Sequence, residues 1–496
     1  MKLHPLSVPY RAISRGLSLG TTLVFIGITL SGTGTIPRLA LPALVAIAIF
    51  GVLATAAWQV AYYRRFEYKL SDEGLDIASG VISRRNREIP LRRIQNVDIS
   101  RNVVQRALGL AALDLETAGG GETEASLRFV GYDEAKRLQR EIQRRKRRVN
   151  GRAVAGDEAE EVEASAVERP PETEEQLFEL SATELAILSV LSFDLRYFSL
   201  LAFGPVAFPF VPGITELAFV GGVMLAAMLA VALWAIGAVV TFGRYYGFRL
   251  SRVGDELRYE RGLLQRYDGS IPLEKVQTLT IRENVLMRRF GYAALAVETA
   301  GYAPGQTPSG GSEAAVPLAT RERVLELAQE VEPFDPPEFS RPPKRARRRY
   351  VARYSLALAG LSGVLFGAQA VFGWPDPWYL PLALVLLTPV AAHLSWANRG
   401  YDARDRHVVT RNGFWRRTTK VVAYDRVQTV IQAQSPFQRR RRLATVVVDT
   451  ASSAGFAGRE ARAVDLDTED AAALRELVGR RLQERLGERR SNLDAR

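Results

Sequence analysis

The chain has 496 residues, which is enough for about three domains of ordinary size. It carries 66 Lys and Arg against 54 Asp and Glu, a formal net charge of +12, and it contains no Cys. The absence of Cys excludes disulfides, thiolate metal sites and cysteine nucleophiles. Its three His residues, His4, His393 and His407, are scattered, so the sequence predicts no metal site and no cofactor.

Uncharged runs of membrane-spanning length occur six times, in three close pairs. They cover residues 16–37 and 39–63, 197–215 and 217–243, and 355–375 and 377–398. A helix needs about 20 apolar residues to cross the hydrocarbon core of a bilayer. The pattern therefore predicts six transmembrane helices arranged as three hairpins.

Basic residues lie mainly at one end of each predicted hairpin. The hairpin tips contain one basic residue, Arg38. The opposite ends carry Arg64, Arg65, Arg244, Lys344, Arg345, Arg347, Arg348 and Arg349. By the positive-inside rule, both termini and all three soluble segments are predicted to be cytoplasmic. These basic residues are candidate contacts for anionic headgroups or a partner, at about 1 kcal/mol each near an anionic leaflet. For most of them topology signalling is the simpler interpretation, but for the run at 344–349 headgroup binding has equal weight.

The three soluble segments are copies of one unit. Residues 89–97 read IPLRRIQNV, residues 271–279 read IPLEKVQTL, and residues 422–430 read VAYDRVQTV. In each copy a Gly precedes the Gln by 15 residues, and an acid followed by Thr-Ala comes 21 residues after it. Equal spacing at three landmarks predicts one fold that is built three times.

Each copy alternates polar and apolar residues and ends in an amphipathic helix. This pattern predicts a small α+β barrel or sandwich of six or seven antiparallel strands with a C-terminal helix, at residues 133–148, 320–331 and 468–486. The predicted hairpins are 1–65, 179–245 and 351–398, and the predicted soluble domains are 66–149, 246–334 and 399–488. The remaining segments are an acidic disordered linker at 150–178, a basic linker at 335–350 and a tail at 489–496.

The repeated Gln and acid form three candidate pairs: Gln95 with Glu116, Gln277 with Glu298, and Gln428 with Asp449. A polar side chain on an apolar strand face needs a hydrogen-bond partner. The favoured interpretation is a buried Gln–acid pair that sets strand register, and a ligand contact is the alternative. Catalysis is disfavoured, because one acid per domain supplies no acid/base pair.

Taken together, these motifs resemble the bacterial pleckstrin-homology family, the YdbS/YdbT-like membrane proteins. The first copy has the motif at 89–97, then QRALG at 105–109 and ETAG at 116–119. The resemblance implies PH-like barrels capped by a helix, without a known active site, in a protein of envelope homeostasis or stress response. The third copy departs from the pattern, with Ala423 in place of Pro, Arg442 in place of Gly, and Ser452 after Asp-Thr-Ala.

The sequence favours a non-enzymatic membrane protein that acts as a binding or scaffolding module. Its expected partners are membrane lipids, including anionic headgroups, and membrane or cytoplasmic proteins, with oligomerisation of the hairpins as a further expectation. Nucleic acid is not expected, because the positive charge follows the spans. The alternative is a transporter or transporter-associated subunit, which is disfavoured because the runs lack charges at mid-depth. Asp194 and Arg196, beside the third run, are expected at the membrane interface.

Overall fold

The computed structural model describes residues 1–11, 41–117, 125–155, 174–191, 216–299, 313–372, 377–404, 406–451 and 460–494. These residues form two compact units, Met1–Glu172 with Leu264–Ser270, and Thr173–Leu263 with Ile271–Arg496. The predicted spans at 16–37 and 197–215, together with Asp194 and Arg196, lie outside the described residues.

The first unit contains the first repeat. Its elements are α1 (Leu41–Arg65), β1 (Glu67–Leu70), β2 (Gly74–Ser79), β3 (Arg85–Pro90), β4 (Ile94–Asn102), α2 (Val103–Ala107), β5 (Leu110–Thr117), β6 (Ala125–Gly131) and α3 (Tyr132–Ala155). Strands β1-β2-β3 form one antiparallel sheet, and β4-β5-β6 lie side by side in a second. Residues 265–270 extend this second sheet, because Gln265 pairs with Asn102 and Asp268 with Ile99.

The core of the first unit lies between the two sheets and α3. Leu75 from the first sheet and Leu113 from the second are fully buried in one cluster. Helix α3 contributes Ala135, Leu138 and Ile142, whose spacing of three and four residues places them on one face. The C-terminal helix therefore covers the core, as the amphipathic pattern predicts.

The second unit contains the second and third repeats. Its first elements are β7 (Glu175–Glu179), α4 (Ala182–Leu191), α5 (Glu216–Tyr245), β8 (Arg249–Val253), β9 (Glu256–Arg261), β10 (Gln265–Pro272, of which 271–272 belong here), β11 (Val276–Asn284), α6 (Val285–Phe290), β12 (Tyr292–Thr299), β13 (Glu313–Thr320) and α7 (Arg321–Val331). Then follow α8 (Ala346–Phe372), α9 (Leu380–Ala383), α10 (Thr388–Ala397), β14 (Gly400–Ala403), β15 (His407–Asn412), β16 (Arg416–Ala423), β17 (Val427–Ala433), α11 (Pro436–Arg439), β18 (Leu443–Thr450), β19 (Ala461–Asp467) and α12 (Thr468–Asp494).

The prediction of closed barrels is wrong. Repeats two and three share a six-stranded sheet of order β13-β12-β11-β16-β15-β14, and β17-β18-β19 form a separate sheet. Strand β11 pairs with β16 from Leu279↔Val421 to Asn284↔Arg416. A short 3-10 turn divides each repeat into two three-stranded halves, at Leu91–Arg93, Leu273–Lys275 and Tyr424–Arg426. Taken alone, a three-stranded half presents two edge strands, and an edge strand readily pairs with a neighbouring strand.

The predicted number of membrane spans is also corrected. Among the described residues, two helices rather than six are long and apolar enough to span, Ala227–Tyr245 and Ala346–Val371. Helix α1 covers most of the second predicted run. The sixth run, 377–398, is divided into α9, a 3-10 segment Leu384–Leu387 and α10. Pro389, in the first turn of α10, has no N–H to continue a helix through this point.

Two predicted boundaries differ from the structure. The linker predicted at 150–178 is helical up to Ala155 and becomes strand β7 at Glu175. Phe178 of β7 pairs with Leu250 and is buried, which explains why the C-terminal end of the predicted linker forms a strand. The tail predicted at 489–496 is part of α12, which continues to Asp494.

Candidate membrane-surface site

Two arginine-rich runs meet at the start of the apolar helix α8. The first is Lys344, Arg345, Arg347, Arg348 and Arg349, and the second is Arg439, Arg440, Arg441 and Arg442, at and after the end of α11. Arg345 joins them: its Nε donates to the carbonyl oxygen of Arg441 at 2.9 Å, and its Nη2 to that of Arg442 at 3.0 Å. We call these nine residues the basic platform.

A fully buried carboxylate holds the platform against the third repeat. Asp465 of β19 has no exposed surface and accepts hydrogen bonds from Tyr350 Oη and Gln438 Nε2, each at 2.7 Å. Arg349 donates to Oδ1, the oxygen that Gln438 also contacts, and Arg399 Nη1 lies 3.4 Å from Oδ2, the oxygen that Tyr350 contacts. Because a buried charge needs partners on every side, this network ties the first turn of α8 to the last strand of the domain.

The platform retains positive charge after these pairs are counted. Arg345 also pairs with Asp467 at 2.6 Å. Lys344, Arg348, Arg439 and Arg440 are exposed, and within the described ranges none of these four forms a salt bridge. The result is a cationic surface at the end of a helix long enough to span a membrane.

The two ends of the third hairpin are also joined at this level. Trp396 Nε1, near the end of α10, donates to the carbonyl oxygen of Pro342 at 2.7 Å. The guanidinium groups of Arg341 and Arg347 each lie 5.6 Å from the Trp396 ring, a cation–π distance. Nη1 of Arg347 is 3.2 Å from Nδ1 of His393. Of the predicted run, Arg345, Arg347 and Arg349 are thus engaged with the protein.

The other predicted basic residues lie at the ends of apolar helices. Arg64 and Arg65 end α1, where Arg65 Nη1 donates to the carbonyl oxygen of Val81 at 3.0 Å. Arg244 is in the last turn of α5, with its guanidinium 6.0 Å from the Tyr245 ring. All three residues therefore lie at the C-terminal end of an apolar helix, where the predicted span ends.

The repeated Gln residues occupy a β-bulge in all three repeats. The register shifts between Ile94 and Asn96, between Val276 and Thr278, and between Val427 and Thr429. The residue after each Gln consequently faces the repeated acid, in the pairs Asn96↔Glu116, Thr278↔Glu298 and Thr429↔Asp449. The shared landmark therefore marks a shared irregularity of the strand.

The expected direct bond between Gln and acid is not formed in the second repeat. Gln277 Nε2 donates to the carbonyl oxygen of Lys275 at 3.4 Å. Glu298 is bound instead by Thr280 Oγ1 at 2.9 Å and by the buried Lys420 Nζ at 2.8 Å. In the third repeat Gln428 is exposed, while the side chains of Gln95 and Glu116 lie outside the described part. Lys420 comes from the third repeat, so no spacing within one repeat could reveal this pair.

Further arginines surround a single buried acid at the shared sheet. Glu283 accepts from Arg417 Nε at 2.8 Å and Nη2 at 2.7 Å, and Arg321 Nε lies 3.5 Å away. Burial, together with repulsion from Arg417, Arg341 and Arg321, lowers the pKa of Arg411 to about 10. The Arg411 guanidinium lies 4.0 Å from the Phe339 ring centroid. In the described residues, no three His, Asp or Glu side chains are grouped so that they could hold a metal ion.

Comparison with known proteins identifies the family. The family model described as "Bacterial PH domain" matches residues 22–146, 203–334 and 356–482. The UPF0699 transmembrane protein YdbT of Bacillus subtilis (strain 168) is 26% identical over 449 residues, which are 86% of this chain and 87% of that protein. No solved structure matches the chain. The chain therefore belongs to the bacterial PH domain family, as a membrane protein with three copies of the domain.

Proposed function

We propose that this protein is a non-enzymatic, membrane-anchored binding module whose basic platform binds anionic lipid headgroups. Its apolar helices hold three PH-like domains at the cytoplasmic face of the membrane. The domains also provide surfaces for protein partners, in a scaffolding role in envelope homeostasis or stress response. No cofactor takes part in this role.

The observation that carries the proposal is the junction made by Arg345. Its guanidinium brings the arginine run of the third PH-like domain to the run that precedes α8. Four exposed cations then lie at the base of an apolar helix, where each contributes about 1 kcal/mol in an anionic leaflet. Topology signalling alone needs only a few basic residues and does not require that a second run be folded against the first.

The proposed topology follows from the distribution of charge. Arg64, Arg65, Arg244 and the basic run at 344–349 flank the hairpins at the ends opposite the tips, and Arg345 brings Arg441 and Arg442 to the same end. Helix α5 has no charged residue between 217 and 243, and α8 has none between 354 and 372. A transport site near the midplane usually depends on such charges, so these helices suit anchoring better than transport.

The test uses the full chain in lipid nanodiscs that contain spin-labelled phosphatidylglycerol or phosphatidylcholine. We expect the wild type to select phosphatidylglycerol at its surface. The double variant Arg348→Gln/Arg440→Gln should lower that selectivity by about tenfold or more, because two headgroup contacts are removed.

The matched control is Arg475→Gln/Arg480→Gln, which removes two exposed arginines from α12 and the same charge. We expect it to retain the selectivity of the wild type. Equal selectivity in both double variants, or a wild type that does not distinguish the two lipids, would contradict the proposed function.

A further inference from the structure

The second and third strands of every repeat are joined by the same glycine turn. The turns read Gly-Val-Ile at 80–82, Gly-Leu-Leu at 262–264 and Gly-Phe-Trp at 413–415. Their glycines have φ values of 110°, 109° and 92°, which other residues rarely adopt. A Cβ on Gly80 would lie 1.9 Å from the Ser83 carbonyl oxygen, and one on Gly413 would lie 2.1 Å from that of Arg416. The geometry therefore requires glycine, but it does not require the apolar residues that follow.

Those apolar residues are exposed. The exposed fractions are 85% for Ile82, 65% for Leu264 and 62% for Trp415. A single exposed apolar side chain is ordinary on a protein surface. A large apolar residue at the tip of the same turn in all three repeats is not explained in that way. We call these three segments the apolar turns.

In the second repeat, the turn is hydrogen-bonded to the end of a helix long enough to span. The N–H of Leu263 donates to the Gly243 carbonyl oxygen at 2.7 Å, and the N–H of Gly262 to that of Tyr246 at 2.9 Å. One turn earlier on α5, Val239 and Val240 are 73% and 61% exposed. The apolar surface of the helix thus continues onto the turn.

The other two repeats place their turns in the same way. In the first, Arg65 at the end of α1 donates to the Val81 carbonyl oxygen. In the third, Arg288 donates to the Phe414 carbonyl oxygen at 2.7 Å and to Asn398 Oδ1, just beyond α10, at 3.3 Å. Each turn is therefore held at the end of the apolar helix that precedes its domain.

Short helices add more exposed apolar side chains after the fourth strand of each repeat. They are Val103 and Val104 in α2, Leu286 and Phe290 in α6, and Phe437 in α11. Helix α6 lies beside the third turn, because Arg288 of this helix makes the contact with Phe414. Arginines accompany the apolar residues here, a combination typical of surfaces that lie at the membrane interface.

We propose that the apolar turns insert into the boundary between headgroups and acyl chains of the bilayer that the protein's own helices span. The inserted residues are Ile82, the pair Leu263 and Leu264, and the pair Phe414 and Trp415. Insertion sets the height and tilt of each PH-like domain, so that a domain does not swing freely about the end of its helix. The inference rests on the proposed membrane anchoring, but it needs no anionic lipid and is therefore separate from headgroup binding.

Because the chain has no Cys, single spin labels can be introduced directly. Ile82→Cys, Leu264→Cys and Trp415→Cys report on the turns. Glu73→Cys, Asp255→Cys and Arg406→Cys are matched controls, since each is exposed and precedes the six-residue strand that leads to the turn. Each control therefore lies about 20 Å from its turn.

The measurement is collision of each label with oxygen and with a polar nickel chelate, on the full chain in phosphatidylcholine liposomes. We expect the turn labels to collide several-fold more with oxygen and several-fold less with the nickel chelate than the controls. Labels at the turns that are as accessible to the nickel chelate as the controls would overturn the proposal.

A second measurement avoids the label. Brominated phosphatidylcholine should quench the Trp fluorescence of the unlabelled chain, and Trp415→Phe should remove part of that quenching. An unchanged quenched fraction in Trp415→Phe would count against insertion of the third turn. If the turns insert into phosphatidylcholine but the chain does not select phosphatidylglycerol, headgroup binding is rejected and insertion of the turns is supported. If the chain selects phosphatidylglycerol but the turns do not insert, only the insertion is rejected.

Discussion

The first and third repeats contact their hairpins through the same position of the last strand but with opposite chemistry. Phe129 in β6 and Asp465 in β19 each lie two residues before the strand end, and each has a left-handed φ, 72° and 60°. In the first repeat, the Phe129 ring lies 4.9 Å from that of Tyr10 and 4.8 Å from the Arg11 guanidinium.

In the third repeat, the contact is ionic. Asp465 binds Arg349 and Tyr350 in the first turn of α8. Both repeats share the left-handed backbone at this position, so the difference lies in the side chains that meet there. An apolar contact tolerates an altered partner, whereas a buried carboxylate requires its cations. The third repeat therefore depends on holding the arginine run at the start of α8, which is part of the basic platform.

The largest expected effect comes from removing the buried charge. Asp465→Leu leaves Arg349 and Arg399 without their acid and should cost about 3–5 kcal/mol. Phe129→Leu keeps an apolar contact and should cost about 1.5 kcal/mol. Hydrogen exchange of the full chain in detergent should show the loss as roughly 200- to 5,000-fold faster exchange in β19, against about tenfold in β6. Similar losses in both strands would mean that the two contacts do not differ.

A medium effect is expected from the Gln that completes the capping box at the start of α2 and of α11. Gln438 accepts from the Ser435 N–H and also donates to Asp465, whereas Gln105 accepts from the Asn102 N–H. Gln438→Met should cost about 2–3 kcal/mol, and Gln105→Met about 1 kcal/mol, because only the first variant leaves a buried carboxylate short of a donor. Urea unfolding of the two full-length variants, followed by fluorescence, measures the difference. Equal midpoints would show that the bond to Asp465 contributes little.

The smallest expected effect concerns the residue after the short helix. Gly109 and Gly291 have φ of 65° and 75°, and Arg442 occupies the same position with φ of 52°. Arg442→Gly should therefore stabilise the third repeat by about 0.5–1 kcal/mol, while Gly109→Ala should destabilise the first by about 1 kcal/mol. Thermal unfolding of the full chain in detergent shows whether each variant is stabilised or destabilised. A destabilised Arg442→Gly variant would show that the Arg442 side chain does more than occupy the turn.

Much of each repeat could be predicted from local patterns. The equal spacing of Gly, Gln and acid predicts one fold, and each landmark has a structural counterpart: a left-handed turn, a β-bulge and the residue opposite it. The C-terminal helices follow from amphipathic periodicity, and Thr320 caps α7 as a helix-start residue should. These features depend on residues close together in the chain.

The candidate site was only half predictable. The run at 344–349 is visible in the sequence because it exceeds what topology needs. The four arginines at 439–442 are equally visible, but no local pattern connects the two runs. Their meeting depends on Arg345 reaching the backbone of Arg441 and Arg442, about 96 residues away. No repeat pattern indicates the role of Asp465, because the equivalent position of the first repeat is occupied by Phe129.

The sequence by itself determined the threefold repeat, the apolar runs and the basic charge beside those runs, since periodicity and composition are local properties of the chain. Only the tertiary structure decided which strand edges pair and which carboxylate receives which cation. Backbone edges present the same donors and acceptors whatever their side chains, so β11 could have closed a barrel within its own repeat but pairs with β16 of the next. The partner of a buried charge likewise depends on packing between distant segments, as Lys420 with Glu298 shows.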